Sequence, residues 1–562
     1  METETRPEVR FPEMGTPDGG VVLGTLDATP LEFWIGVQEG GVVQLDDLVV
    51  AETALPSGQR VRFYGVVDQV RKRYEGTYYD TDAFRVTDGM LPADVSYAAH
   101  VQVTRIDPEV FVPPSPGDRA RVVRGEEFQR ALYFDTFARR IPIGLTRTGE
   151  PVYANLEFLD GTRGAHVSIS GVSGVATKTS YATFLLYALF HSGALGMDAT
   201  NAKALVFNVK GEDLLWLDHP NLRMDEAARS EYARLGLPVG PFCSVAFYAP
   251  AKRHSRTPIP DVGSRSTGVR PYLWTLREFC REGLLRFCFA EAEDARVQVS
   301  FVVARVENQL RRLAEQGDPE DPGLTVEERR LVTFRDLVEY LDTPILDGWV
   351  PAAPGTLDAF RRRLHAAADR MGHLVRGDRD AVGWRIDWQA QQVTVVDLHT
   401  LPAQAQMFVV GVLLKRMMEE KERQGTARPL VFVVLDELNK YAPREGGSPI
   451  RDVLLDIAER GRSLGVSLFG CQQTASEVER RVLANAALKV VGRLDPAEAE
   501  RGEYGWLTRT ARLRAQLLQP GTMIVSQPDI PTPLLVRFPF PAWATRQSEA
   551  ALPEDEDPFT RL

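Results

Sequence analysis

The sequence predicts an α/β protein in which a parallel-sheet core with a mainly helical insertion follows a small N-terminal β-barrel. Three observations carry this prediction. Short β-rich runs separated by turns occupy the first hundred or so residues. After Gly161, apolar strand-like runs alternate with helical ones, the pattern of a sheet covered on both faces. One strand-to-helix junction holds a glycine-bearing loop that ends in Lys178-Thr179.

The barrel is read from VVLGTL, LEFWIGV, DLVVAET, VRFYGVVDQV and AHVQVTRI, with no helical stretch between them. In LEFWIGV, Phe33 and Trp34 are adjacent and must face opposite sides of a strand. Pro113-Pro114-Ser115-Pro116-Gly117 breaks the pattern, which places a boundary at 117. Beyond it, AHVSIS reads as a strand and residues 179–190 as an apolar helix. LVFNV, VTVVDL, VFVVLDEL, GVSLFGC and LKVVGRL read as further buried strands. Helical periodicity in VSFVVARVENQLRRLAEQ and TLDAFRRRLHAAADRMGHLV marks the insertion. The division expected is a barrel over 1–117, a first core part over 118–211, an insertion over 212–390, a second core part over 391–545 and an acidic tail over 546–562.

Composition narrows the function. With 562 residues, 44% hydrophobic and 25% charged, the chain is an ordinary globular one. Cys243, Cys280, Cys288 and Cys471 include no C-x-x-C pair, so neither a zinc knuckle nor a disulfide framework is signalled. A net charge of −11 excludes coating of nucleic acid by bulk positive charge, and any such contact must be local. The chain lacks a run of about 18 uncharged apolar residues, and METETRPEVRFPEMG lacks the apolar centre of a signal peptide. A soluble cytoplasmic protein with no membrane partner is the expectation. Only nine of the 66 basic residues are lysines, so each lysine is informative.

Gly171-Val-Ser-Gly174-Val-Ala-Thr177-Lys178-Thr179-Ser180 lies where backbone N–H groups and the positive end of a helix would meet phosphates. Lys178 suits the β- and γ-phosphates and Thr179 suits Mg²⁺. The match to G-x-x-x-x-G-K-[ST] is imperfect, because Thr177 stands where the last glycine belongs, and a plain strand-to-helix turn is the competing reading. VFVVLDEL ends in Asp436 and Glu437, one carboxylate for the Mg²⁺ shell and one to orient and polarise an attacking water, or else a solvated strand end. Gln472, at the end of GVSLFGCQ, can sense a γ-phosphate through its amide or cap a turn. Arg460 and Arg462 end a predicted helix, where they serve either a neighbouring subunit's phosphate or the helix dipole.

Together these segments resemble the HerA family of hexameric DNA-translocating ATPases, in the HerA and FtsK branch of RecA-like motors. The resemblance covers the barrel, the phosphate loop, LVFNVKGEDL, VTVVDLHTL, VFVVLDEL, ERGRSLGVSLFGCQQT through LKVVGRLD, and LQPGTMIVSQPDIPTPLLVRF. It implies a RecA-like core, an N-terminal barrel of the HAS type, and ATP with Mg²⁺ as ligands. On that resemblance Gly171, Gly174, Thr177, Lys178, Thr179 and Ser180 bind ATP, and Thr179 and Asp436 hold the metal. Glu437 is the catalytic carboxylate, Gln472 the sensor, and Arg462, with Arg460 as second candidate, the arginine placed at the subunit interface. Glu212 falls on the family's Gly-Glu pair, whereas Gln473 and Thr474 depart from its common Arg-Pro. The implied activity is double-stranded DNA translocation by a homo-hexamer working with a NurA-like nuclease in DNA-end processing. A HerA-like ring that scaffolds an antiviral effector, with little hydrolysis, is the alternative.

Overall fold

Six antiparallel strands close the barrel in the computed structural model, which describes residues 19–38, 40–172, 177–265, 267–289, 297–446 and 449–550. They are β1 (Gly20–Val22), β2 (Glu32–Val37), β3 (Leu48–Ala54), β4 (Arg60–Tyr74), β5 (Val95–Asp107) and β6 (Arg119–Val122), joined in the order β1-β2-β5-β4-β3-β6. Alternation sorts their side chains. Phe33, Ile35, Val49, Ala51, Phe63 and Val101 fill the interior, while Leu48, Val50, Tyr64 and Val66 point outward into the core of the neighbouring α/β unit. Trp34 faces away from the interior, with the Arg71 guanidinium 4.0 Å from its ring centroid and the His100 ring, tilted by 56°, at 5.0 Å. The boundary expected at 117 is corrected: β6 pairs with both β1 and β3, so the barrel closes only after the Pro-Gly turn. A four-residue strand whose partners lie about 70 and 100 residues earlier carries too little local pattern to be recognised.

The rest of the chain builds a twelve-stranded sheet. Its members are β7 (Arg140–Leu145), β8 (Pro151–Asn155), β9 (Ala165–Ser170), β10 (Lys203–Asn208), β11 (Val245–Pro250), β12 (Val269–Tyr272), β17 (Val393–Asp397), β18 (Val431–Leu435), β19 (Val466–Gln472), β20 (Ala486–Val491), β21 (Thr522–Ser526) and β22 (Leu534–Arg537). Between β12 and β17, the strands among the described residues are two small pairs, β13 (Trp274–Thr275) with β16 (Val375–Arg376) and β14 (Leu324–Val326) with β15 (Arg329–Leu331). The large sheet has the order β12-β11-β17-β10-β18-β19-β9-β20-β21-β22-β7-β8. Its strands from β12 to β20 are parallel, and β21, β22, β7 and β8 add an antiparallel wing. This is an α/β core on a mostly parallel sheet, preceded in the chain by a closed barrel.

Burial on both faces explains the unbroken apolar runs. In β18, Val431, Val433 and Leu435 face one core while Phe432 and Val434 face the other, so no polar position shows the strand period. The Thr177–His191 helix covers one face, and the Ala403–Gln424 and Pro449–Leu464 helices cover the other. The helical insertion over 212–390 is also corrected. β11 and β12 extend the large sheet after the Glu226–Leu235 helix, and a mainly helical stretch follows them with Leu276–Arg281, Val297–Glu315, Phe334–Leu341 and Pro354–Met371. Pairing with β17, far along the chain, makes VAFYAP a strand.

Residues 546–550 do not belong to a loose tail. Glu549 is buried and accepts hydrogen bonds from Arg223 (3.0 Å) and Thr545 (2.9 Å). The remainder of the expected tail, 551–562, lies outside the described residues. No helix among the described residues is long and apolar enough to cross a membrane.

Candidate functional site

Parallel strands deliver their C-terminal ends to one edge, where ligands of α/β proteins bind. Here that edge carries the ends of β10, β18, β19 and β9, in that spatial order, so β19 separates the loop strand from the carboxylate strand. The arrangement brings Lys178, Thr179, Asp436, Glu437 and Gln472 to one edge although some 300 residues separate them in the chain.

Lys178 and Thr179 stand in the first turn of the Thr177–His191 helix. The Lys178 side chain is buried and its Nζ donates to the carbonyls of Gly171 (2.6 Å) and Val172 (3.2 Å). Burial pushes its ammonium below the usual lysine range, against the pull of Asp436. Gly171 belongs where it is, because a Cβ there would come within 3.3 Å of the Arg493 carbonyl. Gly174 lies outside the described residues, Thr177 opens the helix, and Ser180 lines the same cavity as Lys178.

Thr179 Oγ1 donates to Asp436 Oδ2 at 3.2 Å. The other oxygen, Oδ1, accepts the Glu437 N–H at 2.8 Å. Glu437 itself sits at φ +56°, a left-handed conformation that is strained for a residue with a side chain. That turn aims its carboxylate back toward β10, where Lys210 Nζ lies 2.8 Å from Oε1 and 3.7 Å from Asp436 Oδ2. Lys440 is paired with the other oxygen, Oε2. Burial works to raise the Glu437 pKa, but the two lysines outweigh it and hold the carboxyl below its ordinary value.

Gln472 is fully buried at the end of β19. Its Nε2 donates to Ser168 and Ser170 Oγ, both at 2.8 Å, while its buried Oε1 has no hydrogen-bond partner. A carbonyl oxygen accepts from water but repels a phosphate oxygen. Serine hydroxyls donate as well as accept, so turning the amide over keeps both bonds and presents its NH₂ instead.

Arg462 is not part of this cluster. It precedes β19, and a strand of that length, rising about 3.3 Å per residue, separates it from Gln472 by roughly 20 Å. At the opposite edge of the sheet it is exposed and donates to the carbonyls of Thr162 (2.7 Å) and Gly161 (3.2 Å). Arg460 pairs with Glu422 and Asp456 on the surface. Glu212 clamps another loop, accepting from the Ser264 N–H at 2.8 Å.

Three elements of the site were not expected from the sequence: Lys210, Lys440, and the segment containing Pro541, Trp543, Thr545 and Arg546. With Lys178, Thr179, Asn208, Lys210 and Asp436, that segment bounds a cavity of about 330 Å³. Lysine scarcity and the position of Lys210 just past a predicted strand were the available signals. The donor set fits Mg²⁺: a threonine hydroxyl and a carboxylate oxygen 3.2 Å apart are hard oxygen ligands, and substrate phosphates and water supply the rest.

The chain matches no protein-family model and no curated protein. Solved structures similar to it include VirB4 of Thermoanaerobacter pseudethanolicus, at 16% identity and a TM-score of 0.45, covering 71% of this chain and 96% of that one. The plasmid coupling protein TrwB in complex with ADP and Mg²⁺ is similar at 14% identity and a TM-score of 0.48, with 77% and 95% covered. The genome packaging NTPase B204 from Sulfolobus turreted icosahedral virus 2, in complex with ATP-gammaS, matches at 15% identity and a TM-score of 0.21 over 27% of this chain and 70% of that one.

Proposed function

We propose that this chain is a Mg²⁺-dependent ATPase that drives double-stranded DNA through a homo-hexameric ring. The observation that carries the reading is the meeting of Lys178, Thr179, Asp436, Glu437 and Gln472 at one sheet edge, with Arg462 at the other. A site whose interface arginine lies at the far edge of its own sheet is completed by the next copy of the chain, which is why a ring is proposed.

Lys178 would bind the β- and γ-phosphates, and Thr179 and Asp436 would hold Mg²⁺. The metal, when bound, neutralises charge on the phosphate oxygens. Glu437 orients the attacking water and takes its proton as the new oxygen–phosphorus bond forms and the bond to the bridging oxygen breaks, releasing ADP. Gln472 accepts from that water through Oε1 or, turned over, donates to the γ-phosphate. Arg462 of one copy would stabilise the transferring group held by its neighbour.

The HerA resemblance supports DNA-end processing with a NurA-like nuclease docked on the barrel. The second reading, a nucleotide-organised scaffold for an antiviral effector, draws on the engagement of both Glu437 oxygens by lysines, a resting arrangement that slows hydrolysis. ATP turnover measured with and without double-stranded DNA separates the two. The motor reading expects Mg²⁺-dependent turnover stimulated by DNA, and turnover indifferent to DNA sinks it.

A further inference from the structure

An ammonium group on a carboxylate oxygen takes one of its lone pairs and lowers its basicity, so Glu437 is a weaker proton acceptor while both of its oxygens are engaged. In the structure its two oxygens are divided between two lysines, Oε1 to Lys210 and Oε2 to Lys440. The lysines differ in what else they can reach. Lys440 lies three residues beyond Glu437 on the short Leu438–Tyr441 helix, and its pairing is local. Lys210 comes from the loop after β10, lines the same cavity as Lys178 and Thr179, and also approaches Asp436. Its side chain is 46% exposed, so its four-carbon stem is free to swing.

We propose that Lys210 is a second phosphate-binding lysine that exchanges Glu437 for the γ-phosphate, so that arrival of a triphosphate releases Oε1 for the attacking water. A γ-phosphate carries more negative charge than a carboxylate and binds an ammonium more strongly, which sets the direction of the exchange. Lys440 keeps Oε2, so Glu437 is freed at one oxygen and held at the other. The released carboxylate therefore stays oriented. The loop is braced for this role, because Asn208 Nδ2 donates to the Gly211 carbonyl at 2.8 Å and to buried Asp397 at 2.9 Å. That bracing fixes the backbone while the Lys210 side chain moves.

The inference rests on the ATPase reading and deepens it. It is tested by displacing a fluorescent nucleotide with ADP and with ATPγS from the wild-type chain, Lys210→Met and Lys210→Arg, in Mg²⁺. Lys210→Met should weaken ATPγS binding by about ten- to a hundredfold, the value of one charge-assisted hydrogen bond, with ADP binding unchanged. Its turnover at saturating ATP should fall as well. Lys210→Arg, which keeps a cation on a long stem, should recover most of the ATPγS affinity. Thermal melting checks that each variant folds, as a half-exposed side chain leads one to expect. An ATPγS-to-ADP affinity ratio equal to wild type in Lys210→Met overturns the proposal. So does faster turnover at an unchanged ratio, which would make Lys210 a brake only. Failure of ADP to bind the wild-type chain would instead sink the ATPase reading.

Discussion

Strands β17 and β18 flank β10 on either side and end alike, VTVVD and VFVVLD, each an apolar run closing in a carboxylate. Their neighbours make them different. Asp397 of β17 has no exposure, accepts from Asn208 Nδ2 at 2.9 Å and holds His399 Nδ1 at 2.8 Å. Asp436, one residue past β18, meets Thr179 and approaches Lys210. One carboxylate is enclosed by side-chain partners that tie a loop down. The other faces the helix turn that carries Lys178 and Thr179. An apolar strand ending in an acid is thus not a catalytic signature by itself; what lies across from the acid decides.

The comparison is broken most severely by removing the chemistry at the β18 end. Lys178→Ala is expected to abolish nucleotide binding, whereas Glu437→Gln should keep ATP bound and slow turnover by about 10²- to 10⁴-fold, the usual value of general base catalysis. Equilibrium binding of a fluorescent ATP analogue, with phosphate release measured alongside, distinguishes these outcomes. Tight ATP binding by Lys178→Ala would place the phosphate site elsewhere.

Next in size is the opposite sheet edge. Arg462→Ala should form rings and bind ATP but hydrolyse it about 10³-fold more slowly. Mixing Arg462→Ala with Lys178→Ala subunits should restore part of the activity, since some interfaces then regain both groups. Mixed rings as inactive as either variant alone would show that Arg462 does not act across an interface.

The positions of these residues were legible in the sequence to different depths. AHVSIS matches β9 residue for residue, and Lys178, Thr179, Asp436 and Glu437 were readable because each sits in a short pattern with its own physical reason. β6, β11 and β12 were not readable, because their strand character comes from partners remote in the chain. Lys210 lacks a motif of its own, and its meaning appears only when β10 lies beside β18. Glu212, two residues on, looked more informative and proves to brace a loop.

The β17 end gives a smaller, purely structural effect. Asp397→Asn replaces one acceptor oxygen by an NH₂ group that faces either Asn208 or His399, both donors as bonded here. Leaving a buried polar pair mismatched costs about 1–3 kcal/mol. A lowered thermal midpoint with ATP affinity near wild type is expected. Loss of nucleotide binding equal to that of Lys178→Ala would erase the distinction between the two strand ends.

The smallest effect concerns His166 in β9, which ties the loop strand to β19. Its backbone N–H donates to Ser467 Oγ at 3.1 Å, and its Nδ1 accepts the Leu468 N–H at 3.0 Å, so the ring serves as a neutral acceptor. Burial lowers its pKa from the ordinary 6.5 to about 4. The unfolded chain therefore takes up a proton near pH 6.5 that the folded chain refuses until about pH 4. Stability tied to His166 is complete above pH 6.5 and declines as the pH falls toward 4. At pH 5.5 the loss is about 1.4 kcal/mol, one unit of this linkage. His166 also has φ +68°, a conformation that asparagine tolerates better than most residues. His166→Asn keeps an acceptor without a titrating ring, so unfolding midpoints compared at pH 7.5 and 5.5 should shift less in the variant than in wild type. His373, lowered to about 4 by burial, leaves a residual slope in both. Equal shifts in the two proteins would mean that His166 does not stay neutral in the folded chain.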